Sequence, residues 1–301
     1  MKLDWTTLKT VTLATAILGV CLGDARAQQP PMRQHTATQA EPLTLTAARK
    51  RVRGAQVAMT VQGDTRVITS NGLPGHKVGS FPNAGNPNRI SAQRYTFRVP
   101  VSPRKGRARD LPRATAFGVA VNGVPFDPNA AEFWQGNPRA GWNYNALGGA
   151  VALGLDANYG HVQPTGAYHY HGLPVGLMQQ LNWSASKPSP LIGFAADGFP
   201  IYAVTAQVNG QVVRMTSSYQ LKSGSRPGGS QPGGRHDGAF MQDYEYRAGS
   251  GRLDECNGAT VKTTEFPNGT YAYFLTDTYP VVPRCLKGAV GQGFGKSGGR
   301  G

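Results

Sequence analysis

In Tyr95-Thr96-Phe97-Arg98-Val99 apolar and polar positions alternate, the period of two that marks a half-buried strand. The same signal recurs where Val, Tyr, Phe and Thr gather between turn residues. Residues 57–61 and 66–70 flank Gln62-Gly63-Asp64-Thr65 and predict a hairpin. Phe117-Gly118-Val119-Ala120-Val121 runs into Asn122-Gly123, a dipeptide that favours the tight turns between antiparallel strands. Ile201-Tyr202-Ala203-Val204 and Gln211-Val212-Val213-Arg214 flank Asn209-Gly210 in the same way, and residues 271–276 read as another strand. Long helical periodicity is missing; residues 174–183 allow one short helix. The expectation is one all-β domain of sandwich type, with long loops and at most one or two short helices. Residues 57–287 are enough chain for it to bury a core of its own.

Composition shifts bound this domain. Residues 11–22 are an apolar run behind Lys2 and Lys9, and Ala25-Arg26-Ala27 fits the small-x-small rule for a cut after Ala27. The run is too short to span a bilayer. A lipid anchor at Cys21 is the rival, disfavoured by the branched Val20 before it. Residues 1–27 therefore read as a signal peptide. The mature chain is expected to be secreted or periplasmic, with no transmembrane segment. Residues 28–56, polar with Pro30-Pro31 and a basic run, read as a linker. Residues 223–238 read as a Gly-rich exposed loop, and residues 288–301 as a Gly-rich disordered tail.

Net charge is +15 over 301 residues, and +14 after cleavage. Much of it sits in Arg49-Lys50-Arg51-Val52-Arg53 and Arg104-Lys105-Gly106-Arg107-Ala108-Arg109. Such runs suit nucleic acid, but an exported protein meets envelope polymers instead. The expected partner is an anionic polymer or polysaccharide, not nucleic acid; solvated loops are the plainer alternative. Only Cys256 and Cys285 survive cleavage, and two cysteines in an oxidising compartment pair. That bridge would contribute about 3–4 kcal/mol in the chain-entropy model.

The candidate chemistry lies in Tyr168-His169-Tyr170-His171. In a strand, alternate side chains share a face, so His169 and His171 point one way and Tyr168 and Tyr170 the other. The tyrosines would pack and the imidazoles could share a metal ion. Upstream, Gly160-His161-Val162-Gln163-Pro164-Thr165-Gly166 reads as strand, turn, strand. A turn centred on Thr165 sets His161 opposite His169. Three imidazoles suit Zn, Cu, Fe or Ni, with Zn or Cu the expected ion. A fourth position would be left for water. Asp197 is the first candidate for a supporting carboxylate, with Asp156 and Asp254 behind it. The alternative is that the histidines hydrogen-bond within a polar loop and bind nothing.

Other templates fail. No H-E-x-x-H and no G-x-S-x-G are present. Gly291-Gln292-Gly293-Phe294-Gly295-Lys296-Ser297 is one residue short of a phosphate-binding loop. A blue-copper site needs a free cysteine. His35, His76 and His236 lie in linker-like, turn-rich or glycine-rich surroundings and read as solvated. One internal echo stands out: Gly166-Ala167-Tyr168-His169-Tyr170-His171 against Gly269-Thr270-Tyr271-Ala272-Tyr273-Phe274, two strands of which only the first carries imidazoles.

Tyr168-His169-Tyr170-His171, then Ser189-Pro190-Leu191-Ile192-Gly193-Phe194-Ala195-Ala196-Asp197-Gly198-Phe199-Pro200-Ile201-Tyr202, Leu253-Asp254-Glu255-Cys256-Asn257-Gly258 and Pro283-Arg284-Cys285-Leu286-Lys287-Gly288, resemble in order the YHYH-domain family of secreted proteins. The resemblance runs from about residue 122 to 288. It implies an export signal and a domain type, not a reaction. Pro188, Ala272 and Phe274 stand where related sequences carry histidine, which leaves His161, His169 and His171 as the ligand set. Three functions are carried forward: a metal site on the YHYH strand, a non-enzymatic envelope or surface binding domain that uses its basic charge, and, resting only on an open coordination position, a metal-dependent hydrolase or oxidase.

Overall fold

The computed structural model describes residues 35–295. The expected signal peptide lies outside the described residues. The described chain is all-β, with several sheets, no barrel and one α-helix, Val175–Gln180. Its centre is an eight-stranded sheet. From edge to edge the order is Gly258–Val261, Thr270–Leu275, Pro200–Ala203, Gly193–Ala195, Gly118–Ala120, Pro125–Phe126, Tyr168–Tyr170 and Gly160–Val162. A three-stranded antiparallel sheet is built from Val57–Gln62, Thr65–Ser70 and Tyr95–Pro100. Phe97 and Val99 point inward and Thr96 and Arg98 outward, as the alternation requires. Ile68, Phe97 and Val99 of this sheet share one buried cluster with Val119, Phe194 and Ile201 of the large one.

The turn signals land where the residues demand. Gln62 pairs with Thr65 across Gly63-Asp64, and Val119 pairs with Pro125 across the Asn122-Gly123 turn. Asn209-Gly210 also closes a hairpin, both residues at positive φ (50° and 81°). The strand entering that hairpin is Thr205–Val208, not residues 201–204. Val204 sits at φ 64°, strained for a β-branched residue. It bends the chain out of the central sheet, so Pro200–Ala203 and Thr205–Val208 belong to different sheets.

The boundaries differ from expectation. From His35 onward the segment read as a linker lies on the domain: His35 bridges to Trp134 and Thr46 to Asp156. Lys50–Arg51 pairs with Lys77–Val78. Backbone pairing supplies this order, and polar composition does not oppose it. The tail is likewise ordered through Gly295, with Gln292 bridged to Arg98 and Phe294 in the core. In the Gly-rich loop, Arg226 is buried. Its guanidinium forks onto Asp243, with Nε–Oδ1 and Nη2–Oδ2 both 2.7 Å, and also meets Asp237 and the Thr38 carbonyl.

The central sheet consists of two copies of one four-stranded unit. In each, a hairpin is followed by a parallel pairing and then an outer antiparallel strand. The copies meet along Gly118–Ala120 and Gly193–Ala195. Asn122-Gly123-Val124-Pro125-Phe126 corresponds to Asp197-Gly198-Phe199-Pro200-Ile201, with Gly123 and Gly198 at φ 81° and 92°. Asp156 receives the Tyr168 hydroxyl at 3.0 and 2.9 Å, and Asp254 receives that of Tyr271 at 3.1 and 3.0 Å. Gly160 and Gly258 stand beneath those hydroxyls, where any Cβ would run into the ring, so only glycine fits. Tyr170 and Tyr273 match in the same way. In place of His161, His169 and His171 the second copy has Ala259, Ala272 and Phe274, packed in an apolar cluster with Tyr202.

Candidate metal centre

Strand Gly160–Val162 pairs with Tyr168–Tyr170 through the turn at 163–167, and His169 stands directly across from His161. His171 follows on the same face as His169; its backbone N–H donates to the Tyr159 carbonyl at 2.8 Å. Three side chains from one hairpin thus converge. His169 Nε2 and His171 Nε2 are 3.0 Å apart, and His171 Nε2 and His161 Nε2 are also 3.0 Å apart. The three candidate ligand atoms lie within 4.8 Å of one another, and no other group among the described residues makes such a cluster.

The outer ring nitrogens set the tautomers of His161 and His169. His161 Nδ1 meets the Leu153 carbonyl at 2.8 Å, much closer than the Asn86 amide nitrogen at 3.3 Å, and His169 Nδ1 meets the Ala167 carbonyl at 3.2 Å. A carbonyl only accepts, so each Nδ1 carries the proton and each Nε2 keeps its lone pair. Those lone pairs face inward. A zinc ion bound at about 2.0–2.1 Å places its ligating nitrogens roughly 3.3 Å apart, close to the 3.0 Å from His171 Nε2 to each of its two neighbours. Orientation of a ligating imidazole through its other nitrogen is the usual support of a metal site.

Burial pushes His161 below the ordinary imidazole range; the Leu153 carbonyl and the carboxylates of Glu132, Asp127 and Asp156 pull the other way and lose. Glu132 is itself pushed up by burial. Asp127 is buried, and its Oδ2 lies 4.0 Å from His169 Nε2. It carries no local sequence signal: the parallel pairing of Phe126 with Tyr170 brings it beside the histidines. The internal match of residues 122–126 with 197–201 was the one cue available.

Asp197 does not join the histidines. Its Oδ2 accepts from the Tyr273 hydroxyl at 2.6 Å and from the Gly288 N–H at 2.8 Å. It is the second copy's counterpart of Asn122, which donates to the Tyr170 hydroxyl at 2.9 Å. The tyrosines pack as expected: Tyr168 and Tyr170 have no exposed surface. His76, expected in solvent, is buried, with Nε2 2.6 Å from the Tyr170 hydroxyl and its ring stacked on Tyr170. Burial lowers its pKa as well. Cys256 and Cys285 form the expected disulfide, with Cα atoms 5.1 Å apart.

His171 lines a cleft of about 650 Å³. His169 and Asp127 line a small recess of about 60 Å³. The centre is therefore walled by protein but borders open space at His171.

Fold and site together define an all-β domain with a three-histidine cluster that could hold a metal ion. The chain belongs to the YHYH protein family, whose model matches residues 96–288. No curated protein and no solved structure matches it.

One consequence concerns pH. His161 and His76 bind protons less readily folded than unfolded, so stability is fully present above the ordinary imidazole value of 6.5 and is lost as pH falls below it. Chelator-treated protein should unfold at progressively lower denaturant concentration as pH drops through that value. A midpoint that stays level from neutral pH into the mildly acid range would contradict the burial assigned to these rings.

Proposed function

We propose that this protein binds a transition-metal ion, zinc or copper, through His161, His169 and His171, outside the cytoplasm. The observation that carries it is the convergence of three Nε2 atoms, His171 Nε2 standing 3.0 Å from each of the other two and all three within 4.8 Å, with Nδ1 of His161 and of His169 facing a carbonyl. With its proton on Nδ1, His171 turns a third lone pair to the same point, where one cation can accept all three; with its proton on Nε2 it instead donates to a neighbouring imidazole. Three nitrogen ligands leave a position for water, and Asp127 is near enough to orient what binds there. The disulfide is compatible with an oxidising compartment, and no helix among the described residues is long and apolar enough to cross a membrane. Elemental analysis of protein purified without a metal-affinity tag, then titration calorimetry of chelator-stripped protein with Zn and Cu(II), tests the reading. Binding weaker than about 1 mM for both ions, roughly 4 kcal/mol, would remove it.

A second reading has its own support. Arg49, Lys50, Arg51 and Arg53 are exposed, as are Arg104, Lys105, Arg107 and Arg109. Exposed cations attract polyanions through a field that salt screens. Binding to an acidic polysaccharide column should weaken steeply between low and physiological ionic strength, and persist in chelator. Retention insensitive to salt would argue against a role for the charge.

A further inference from the structure

The cleft beside His171 has a chemistry of its own. One wall carries Tyr219, Tyr244 and Tyr279. Tyr244 and Tyr279 are stacked, with centroids 3.8 Å apart and planes 9° from parallel, and Tyr219 stands edge-on to Tyr279 at 5.8 Å. This ring wall is fixed before anything binds. Leu173 and proline side chains add further apolar surface. Such a cavity is of ordinary size for a small organic ligand.

Arg284 also lines it. Its guanidinium donates to the Pro128 carbonyl at 2.7 Å and to Asn129 Oδ1 at 2.6 Å, both neutral acceptors. Among the described residues no carboxylate forms an ion pair with it. The cleft's own carboxylate, Asp277, is taken by Arg214. Partly buried charges are normally compensated, and a guanidinium with N–H groups to spare matches a carboxylate in particular. At His171, a bound metal ion would place a second positive charge on the same cavity.

We propose that this cleft binds an organic anion with a flat apolar body, an aryl carboxylate, its ring against the tyrosine wall and its carboxylate on Arg284. The part played by the metal rests on the function proposed above; the part played by Arg284 does not.

Fluorescence titration of the full chain, disulfide intact, with 1-pyrenebutyrate and with 1-pyrenebutanol separates charge from apolar bulk. In chelator the carboxylate should bind at least about tenfold more tightly than the alcohol. Arg284→Gln should erase most of that preference, and Arg284→Lys should retain part of it. Thr278→Glu, at an exposed position on the cleft, should weaken the carboxylate and spare the alcohol, which keeps the test alive if the Arg284 variants fold poorly. Added zinc should widen the preference in the wild type but not in the His169→Ala/His171→Ala variant. If zinc changes nothing while the Arg284-dependent preference stands in chelator, the metal reading falls and the anion site remains. Equal affinities for the two probes, or a preference unchanged by both Arg284→Gln and Thr278→Glu, would overturn the proposal.

Discussion

The double variant His169→Ala/His171→Ala is expected to lose zinc and copper affinity by at least about a thousandfold, roughly 4 kcal/mol. Two of three inward-facing Nε2 atoms disappear, and one imidazole cannot hold the ion alone. The fold should survive, because the second copy of the unit carries Ala272 and Phe274 at the same two places and packs without imidazoles. His236→Ala, outside the cluster, should bind as the wild type does. In the wild type, zinc at about a hundred times its dissociation constant should stabilise the protein by about 2.7 kcal/mol. The double variant should show no such gain. Retained affinity in that variant would place any bound metal elsewhere on the chain.

The largest stability loss is expected from Asp156→Ala. Its carboxylate has no exposure. It accepts the Tyr168 hydroxyl, the Gly79 N–H at 2.9 Å, the Asn158 N–H at 2.8 Å and the Gly160 N–H at 3.3 Å. Alanine leaves these donors buried without an acceptor, at a cost of about 3–5 kcal/mol. Asp254→Ala removes the matching contacts in the second copy, but its side chain is 24% exposed and water can replace part of what is lost. Its effect should be clearly smaller. Denaturant unfolding of both variants decides the point; equal losses would show that the two carboxylates do not differ in burial as described. Asp156→Ala should also weaken metal binding, since Tyr168 anchors the strand that presents His169.

Much of the site was legible because it is local. His169 and His171 share a face by the two-residue period of a strand, and a turn centred on Thr165 brings His161 across. Both follow from spacing within a dozen residues. The carboxylate assignment failed because it was not local. Asp127 comes beside the histidines through a parallel pairing more than 40 positions away in sequence, Tyr170 with Phe126. Asp197 sits in a motif that looks chemical but serves the second copy, under Tyr273. His76 looked solvated because glycine and proline surround it, yet the fold closes Tyr170 over it. Residues 35–56 and 288–295 depart from the linker and tail expectation for a related reason, while 28–34 and 296–301 lie outside the described residues. Polar or glycine-rich composition says little about a segment whose backbone finds partners elsewhere, as His35, Thr46 and Gln292 do.

The sequence by itself determined the all-β class, the turns, the pairing of Cys256 with Cys285 and the three histidines of one hairpin. Each depends on residue period, backbone preference or near neighbours, which the chain carries along its length. Only the tertiary structure decided that two like units stand side by side, that one is armed with imidazoles and the other filled with Ala272, Phe274 and Tyr202, and that Asp127 and a tyrosine-walled cleft border the armed one. Those facts depend on which distant strands pair, and pairing is set by burial of the whole core, which no single segment specifies.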